Sequence, residues 1–388
     1  MVAGPSTGER QCGRQELEDF IEEVFGGEIH AQRLASLTDG VDGVRHAASL
    51  GVRAIGQGLA AAQGLAPRHA IKPVDRLLSN PKLSMAEVWG CWVPFVVGER
   101  REVCVNFDWT EFVEADQSMV GLGLHTGHGR RTPLLWKTVT RSALLGQRNA
   151  HEDALLGQLA AVVPPAVRVT VVADRGFADH KLYRFLREEL GFDYIIRCRG
   201  DVSVTKAAGE VRPAKAWLGP GGRMRVLRQA QVTRQRQGVP VVVCVQDSGM
   251  QEAWCLVSSR ADLTGSAIKA AYGRRFTVEE TFRDIKNARL GLGLTQVSIV
   301  RNDRRDALFL LAALAHTLLT LLGKAGQELG MERMLGATRP KQLSLFRQGL
   351  MLFELIPTMQ ADRLRALVQK FGALLQEHVL FTSLLGVL

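Results

Sequence analysis

The stretch RVTVVADRGFADHKLYRFLREELGFDYIIRCRG, residues 168–200, is the segment from which the fold can be worked out. It begins with a short, valine-rich apolar run and continues with the amphipathic segment HKLYRFLREELG. It ends in a second apolar run, FDYIIRCRG. Runs of these lengths and compositions predict a strand, a helix and a second strand. Asp174 stands at the end of the first run, so we expect its carboxylate at the end of a buried strand.

Three more strands are predicted upstream of this unit. They are REVCVNFDWTEF, SMVGLGLHT and TPLLWKTVT, and the loop GHGRR joins the last two as a hairpin. The helix HEDALLGQLAAVV follows them. Three hairpin-linked strands followed by helix, strand, helix and strand is the order of the ribonuclease H-like fold, an α/β fold with a mixed sheet covered by helices.

The regions on either side differ in composition. Three β signals, RMRVLRQAQVT, VPVVVCVQD and AWCLVSSR, predict a β-rich insertion that interrupts the sheet, and the two ends of the chain read as helical. The domain prediction is therefore a helical N-terminal region that we expect to bind DNA (1–95), a first part of the catalytic domain (96–200), the β insertion (201–263), a second part of the catalytic domain (264–325) and a helical C-terminal region (326–388).

The amino-acid composition limits the classes of protein to which the chain can belong. The 388 residues are 46% hydrophobic, enough for a packed core, and carry a net charge of +10. This charge favours a polyanionic partner, nucleic acid before an anionic membrane. Six scattered cysteines without a C-x-x-C pair indicate a reducing cytosol. The apolar segment 307–323 is at the short limit for a membrane span and is interpreted as a buried helix. We expect no membrane association.

The segment YGRRFTVEETFRDIK, residues 272–286, places four polar side chains on one helical stripe. At 100° per residue they fall within an arc about 60° wide. Val278, Phe282 and Ile285 lie beside this stripe, so the polar groups are expected close to the core. The four are Tyr272, Arg275, Glu279 and Lys286.

Two ordinary interpretations of this segment stay open. Arg283 is placed to pair with Glu279 or Glu280 on a solvated helix face. The run from Thr277 to Glu280 also fits a capping box, with Gly273 marking a kink before a new helical turn.

Three carboxylates are candidates for one metal site. Asp108 is predicted to end the first strand, Asp174 ends the fourth, and neighbouring strands would set them side by side. Glu279, on a helix packed across that edge, would complete the set. Three carboxylates within a few ångströms repel one another, so the cluster implies bound Mg²⁺ or Mn²⁺, two ions for in-line phosphoryl transfer.

Each candidate has an alternative. Asp174 is also suited to cap the following helix, and Asp108 to end a strand in a turn. Glu111, Glu114 and Asp116 compete with Asp108 but are expected in the turn beyond the strand. His125 and His128 in HTGH have metal-like spacing, yet no nearby Cys or further His completes a set, so they are interpreted as a hairpin loop.

The stretches VNFDWTEF, TPLLWKTV and VVADRGFAD, the β insertion and the pattern Y-x2-R-x3-E-x6-K occur together. Together they resemble the DDE transposases of bacterial insertion sequences. The likeness is to the large group with a β-strand insertion before the glutamate, insertion-sequence family four. It extends over about residues 75–325, and the signature is matched without a gap at Tyr272, Arg275, Glu279 and Lys286.

The resemblance implies a role for each site residue. Asp108, Asp174 and Glu279 would bind two divalent ions. Arg275 and Lys286 would hold backbone phosphates of DNA, and Tyr272 would lie against the terminal nucleotide or its phosphate. Trp254 resembles a family tryptophan on which a flipped base stacks, with a place in the strand core as its alternative. Arg283 would contact DNA or pair with Glu279.

The expected function is a transposase that binds the terminal inverted repeats of its element, cleaves the ends and joins them to target double-stranded DNA. A homodimer in a synaptic complex and a cytoplasmic, nucleoid-associated place in a bacterium follow from the same resemblance. Two alternatives remain at this point. One is a non-catalytic DNA-binding descendant, and the other is a nuclease of the same fold without end specificity.

Overall fold

The computed structural model describes residues 13–336 and 342–376. Within them one ten-stranded sheet forms the centre of an α/β protein. The strands are β1 (Glu102–Phe112), β2 (Gln117–His125), β3 (Arg131–Thr140), β4 (Arg168–Ala173), β5 (Asp193–Cys198), β6 (Ser203–Thr205), β7 (Val211–Pro213), β8 (Arg225–Val232), β9 (Gln237–Val245) and β10 (Trp254–Ser258).

Helices precede, interrupt and follow the strands. They are α1 (Arg14–Phe25), α2 (Ala31–Ala47), α3 (Val52–Gln63), α4 (Pro67–Leu78), α5 (Met85–Val97), α6 (Arg148–Val162), α7 (His180–Arg184), α8 (Gly265–Gly273), α9 (Thr277–Lys286), α10 (Asn302–Glu328), α11 (Leu345–Leu355) and α12 (Ala361–Gln376). A π-helical turn, Phe185–Glu189, continues α7.

The sheet is mixed, as predicted. Its order is β3-β2-β1-β4-β5-β10-β9-β8-β6-β7. The pairs β1–β4 and β4–β5 are parallel, whereas the meander of β1, β2 and β3 and the pairs that involve β6 to β10 are antiparallel. This architecture is compatible with the ribonuclease H-like fold.

The segment between β5 and α8 extends the same sheet. Strand β10 pairs with β5 and is followed outward by β9, β8, β6 and β7. The sequence pattern predicted β8, β9 and β10 but missed β6 and β7. Each of these has only three residues, too few to show an alternating pattern.

A small apolar layer fixes α8 on one face of the sheet. Ile268 and Tyr272 of α8 pack on a patch formed by Val172, Ile195, Val241, Val243 and Leu256. Because α8 is anchored there, the segment that follows it runs across the carboxyl ends of the parallel strands β1 and β4.

The long helix α10 lies at the centre of the large hydrophobic core of the protein. It is long and apolar enough to cross a membrane by length and composition alone, but 94% of its most apolar window is buried inside the protein. It packs against α2, β3 and α11. The crossing with α11 is close because glycines meet there: a Cβ on Gly349 would lie 1.7 Å from the carbonyl oxygen of Leu319.

The apolar segment FRQGLMLFELI, residues 346–356, has a composition typical either of contacts between subunits or of core packing. Phe346, Leu350 and Leu352 of α11 are buried in the core beside α10. The five cysteines in the described residues carry free thiols, and Cys12 lies outside those residues.

Candidate active site

Two aspartates lie side by side where the parallel pairing of β1 and β4 ends. The last paired residues are Phe107 and Ala173. Continuing this register by one residue sets Asp108 against Asp174. Parallel strands present aligned residues on the same face, so the two carboxylates share one face of the sheet.

The position of Asp108 within its strand differs from the prediction. It does not end β1, because antiparallel pairing with β2 continues through four further residues, from Trp109 to Phe112. Strand β1 therefore extends past the end of its parallel neighbour β4, and Asp108 lies level with that end. Glu111, expected in a turn, is still in β1 and pairs with Arg141 and Arg148.

The two aspartates have different surroundings. Asp174 follows β4 and accepts a hydrogen bond from the Gly176 amide at 2.7 Å, so it caps the short turn at 175–177, whereas Asp179 caps α7. Burial raises the pKa of Asp108 above its usual range, and the negative charge of Asp174 acts in the same direction. The charges of Arg275 and Arg131 oppose this rise.

The polar stripe is carried by two helices with a break between them. Helix α8 ends at Gly273, a 3₁₀ turn covers Arg274–Phe276, and α9 begins at Thr277. The break was predicted, but the capping box was wrong, because the N-cap of α9 is Phe276 and has no side-chain cap. The Thr277 hydroxyl instead accepts a hydrogen bond from Asn106 Nδ2 at 3.4 Å.

Arg275 links two of the three candidate acids. Its Nη1 lies 3.4 Å from Asp108 Oδ2 and its Nη2 lies 3.8 Å from Glu279 Oε1. The Glu279 side chain is 59% exposed, whereas that of Arg275 is 10% exposed. In the part of the chain that the structure describes, no three His, Cys, Asp or Glu side chains lie close enough to hold one metal ion.

The expected cluster of three carboxylates is therefore not formed in this arrangement. Asp108 and Asp174 are neighbours, but Glu279 stands on the far side of the Arg275 guanidinium. Like charges repel, and an arginine between two carboxylates relieves that repulsion.

Lys286 also points to the strand that carries Asp108. Its Nζ donates to Thr110 Oγ1 at 3.0 Å and to the Glu111 carbonyl at 3.2 Å. Burial lowers its pKa, and the nearby charge of Arg305 lowers it further. Thr110 is two residues from Asp108 in β1, so the ammonium lies on the same face of the sheet as that carboxylate.

Tyr272 and Trp254 form an aromatic group with Phe276. Tyr272 is 1% exposed, and its ring meets Trp254 edge to face at 4.9 Å. Trp254, half-buried at the start of β10, also stacks on Phe276 at 5.9 Å. Phe276 is the exposed member, with 42% of its surface accessible. In this arrangement the ring of Tyr272 is covered by protein.

Arg283 takes one of the two pairings that the sequence allowed. Its Nη1 lies 2.8 Å from Glu280 Oε2. Glu280 is also 3.7 Å from Arg130, so it is shared by two arginines. Glu279, one residue earlier, is paired with Arg275 instead.

The sequence analysis missed Arg131, the first residue of β3. It is 2% exposed, lies over the ring of Phe282 at 4.4 Å and faces Asp108. Burial lowers its pKa to about 10, while Asp108 acts in the opposite direction. Two glycines make room for it: a Cβ on Gly123 would lie 2.6 Å from Arg131 Cδ, and one on Gly121 would lie 3.5 Å from its Nη2.

Of the two histidines of HTGH, His125 is buried and His128 is half-buried. His125 ends β2 and hydrogen-bonds Asn106 through Nε2. Burial lowers the pKa of each of His125 and His128 to about 3, so both are neutral at physiological pH. The loop that carries His128 leads to Arg130, which binds Asp284 at 2.6 Å.

The comparison with known families gives one match. The sequence profile described as "Transposase DDE domain" matches residues 118–318, just over half of the chain. The chain belongs to the DDE transposase family. No curated protein matches the sequence.

Family membership makes this protein a transposase, a class of DNA-cleaving enzymes that depend on divalent metal ions and act on DNA. The matched region contains Asp174 and Glu279 and begins ten residues after Asp108. Asp108 lies outside the matched region of this transposase, and its place beside Asp174 follows from the β1–β4 register.

Proposed function

We propose that the protein is the transposase of a bacterial insertion sequence. It binds the terminal inverted repeats, cleaves DNA at the element ends and joins the new 3′ ends to target DNA. The observation that carries this proposal is the juxtaposition of Asp108 with Asp174 beside a row of buried cations. Arg275 and Lys286 contribute to that row, and Arg131 extends it.

The donor set fits Mg²⁺ or Mn²⁺. Asp108, Asp174 and Glu279 offer only carboxylate oxygens, the ligands that hard divalent ions prefer. Asp108 has a raised pKa because it is buried next to a second acid, and a bound cation removes that penalty. Glu279 has an exposed side chain, free to leave Arg275 by rotation about its own bonds. Two such ions would activate the attacking oxygen and stabilise the leaving one.

The chain's own residues supply the rest of the chemistry. Arg275 keeps Asp108 ionised and offers a planar fork of donors to a phosphate of the cleaved strand. Lys286 adds a point charge next to it. Tyr272 is buried, and in this arrangement its ring only packs against Trp254. We assign Tyr272 a contact with the terminal nucleotide, and that contact requires the aromatic group to rearrange.

The remaining assignments follow the same logic. We assign DNA contact to Arg283, whose side chain is 58% exposed, and to Trp254 at the edge of the aromatic group. The segment that contains β6 to β10 corresponds to the β insertion of insertion-sequence family four. The N-terminal helices would read the DNA ends, and paired cleavage at two ends requires a homodimer. We place this activity in the bacterial cytoplasm, at the nucleoid.

The test is cleavage of the element's own end. With Mg²⁺, the purified protein should nick a duplex that carries its inverted repeat and leave a scrambled end intact. Asp174→Ala should bind the same duplex without cutting it. Binding with no cleavage by the natural sequence would make the protein a non-catalytic descendant, and equal cutting of both duplexes would make it a nuclease without end specificity. Either result contradicts the proposal.

A further inference from the structure

A cavity of about 470 Å³ opens at the end of β1, beyond the residues that carry the acidic site. The end of β1, the turn after it and the loop at 295–300 line this cavity. Its principal lining residues are Glu111, Phe112, Glu114, Val297, Val300 and Arg305.

Arg305 is the unusual member of this lining. It is 1% exposed, although it belongs to the first turn of α10. Its Nε donates to Gln117, and its Nη2 donates to the Ile299 carbonyl at 3.2 Å. Its Nη1 is buried and has no hydrogen-bond partner in the part of the chain that the structure describes. A buried charged donor without a partner costs more free energy than an ordinary unsatisfied group, so a ligand that accepts from it is favoured.

A second cation shares the same aromatic ring. The guanidinium carbon of Arg305 lies 4.3 Å from the centre of Phe112, and Lys286 Nζ lies 4.9 Å from it. The two charges repel each other, and this repulsion contributes to the lowered pKa of Lys286. The charge of Glu111 acts on Lys286 and that of Asp306 acts on Arg305. Glu111 is paired with Arg141 and Arg148, whereas Asp306 accepts hydrogen bonds from Thr138. Neither acid forms an ion pair with Arg305 or Lys286 within the part of the chain that the structure describes.

The cavity is aligned with the proposed cleavage site. Asp108, Thr110 and Phe112 alternate along β1 and so share one face of the sheet. At 3.3 Å per residue, Phe112 is about 13 Å from Asp108. One strand of B-DNA carries a phosphate per 3.4 Å of axis, so the cavity is within reach of a phosphate about four nucleotides from the cleaved bond.

We propose that Arg305, in the wall of this cavity, forms a subsite for a backbone phosphate of bound DNA, separate from the acidic site. The inference rests on the proposed function, because it requires DNA to lie along β1. The phosphate accepts from Arg305 Nη1. Lys286, which lies over the same Phe112 ring, adds its positive charge to the field near this subsite.

The test measures binding of random-sequence duplex DNA without divalent metal, over a series of salt concentrations. Arg305→Gln removes one charged phosphate contact, so the slope of log K against log salt should become shallower by about 0.9. Because Arg305 also holds Gln117, Val300→Asp serves as a second variant. The Val300 side chain is 84% exposed, and a carboxylate there should weaken binding about fivefold by repulsion. Val211→Asp, at an exposed position on the distant strand β7, is the matched control and should bind normally.

Replacing Glu114 tests whether the cavity binds a phosphate or a cation. It is exposed and lines the cavity. Glu114→Gln should tighten DNA binding about threefold if the cavity holds a phosphate, because a like charge is removed. Weaker binding by Glu114→Gln, an unchanged salt slope in Arg305→Gln, or equal effects of Val300→Asp and Val211→Asp would each overturn the proposal. None of these measurements involves cleavage, so a protein that fails to cut its ends leaves their outcome intact and overturns only the proposed function.

Discussion

Arg275 controls the charge of Asp108, and its replacement provides a quantitative test. Its Nη1 is 3.4 Å from Asp108 Oδ2, and the Asp108 side chain is 18% exposed. At that distance a pair of unit charges interacts with about 1 kcal/mol at the dielectric constant of water and about 5 kcal/mol at an effective value of 20. Arg275 therefore lowers the pKa of Asp108, and its loss removes between about 1 and about 5 kcal/mol of Coulomb attraction from the ionised carboxylate.

The sign of the effect follows from the charge. Arg275 favours the ionised carboxylate, and Arg275→Gln removes that support while Arg131 keeps part of it. The pKa of Asp108 should therefore rise further in this variant. Activity that needs an ionised Asp108 should then be lost at a higher pH, so the acid limb of the cleavage rate should move to higher pH.

The assay is the pH dependence of single-turnover strand nicking, with the Asp108 carboxyl titrated in parallel by ¹³C NMR. Arg275→Lys should recover most of the shift, because it keeps the charge. Arg283→Gln is the control, since Arg283 pairs with Glu280 and has no contact with Asp108. An acid limb and a titration that stay in place in Arg275→Gln would refute the reasoning.

Two further predictions concern the stability of the fold. Burial raises the pKa of Asp284, but hydrogen bonds and charges from His316 and Arg130 outweigh it and hold the pKa below its usual range. This stabilisation is present above the unfolded-state pKa and is lost as the pH falls below about 4. Asp284→Asn should cost about 3 kcal/mol at neutral pH and remove that acid dependence in urea titrations. If Asp284→Asn is as stable as the natural protein, the buried pair of Asp284 and Arg130 does not stabilise the fold as described. Gly349→Ala should lower the free energy of unfolding by about 1–3 kcal/mol, because its Cβ overlaps the Leu319 carbonyl. The control is Gly157→Ala in α6, where a Cβ meets nothing within 4 Å. It should be neutral or stabilising by up to about 1 kcal/mol, and equal losses in the two variants would be inconsistent with the close helix crossing.

The order and type of the long elements could be predicted from the sequence. Apolar runs such as RVTVVADRGF and VPVVVCVQD have the length and composition of strands, and they form β4 and β9. The extension of β1 past Asp108 could not be predicted from the sequence. It depends on how far β2 stays paired with β1, and that pairing is a joint property of the two segments. The boundary of a strand is thus set partly by its neighbour.

The site was predicted less completely than the fold. Helical periodicity indicated that Arg275 and Glu279 share a stripe, and their ion pair agrees with that placement. Periodicity does not report depth, so it could not indicate that Tyr272 would be buried while Glu279 would be exposed. Tyr272 belongs to α8, which packs on the sheet, whereas Glu279 belongs to α9, which follows the 3₁₀ turn at Arg274–Phe276.

The sequence contains a pattern that indicates the burial of Arg131. The run GLGLH in β2 places Gly121 and Gly123 on one face, and a face without Cβ atoms has room for a long side chain from the next strand. Together with an arginine at the start of that strand, this pattern indicates a buried cation. It could be sought in other sequences of this family.

The most direct measurement is a crystal structure of the protein with Mn²⁺ and duplex DNA that carries the element end, read by anomalous scattering from manganese. The account predicts manganese bound by Asp108 and Asp174, with Glu279 turned away from Arg275 to join them. Manganese bound elsewhere, or Glu279 still paired with Arg275 while the DNA end is in place, would contradict it.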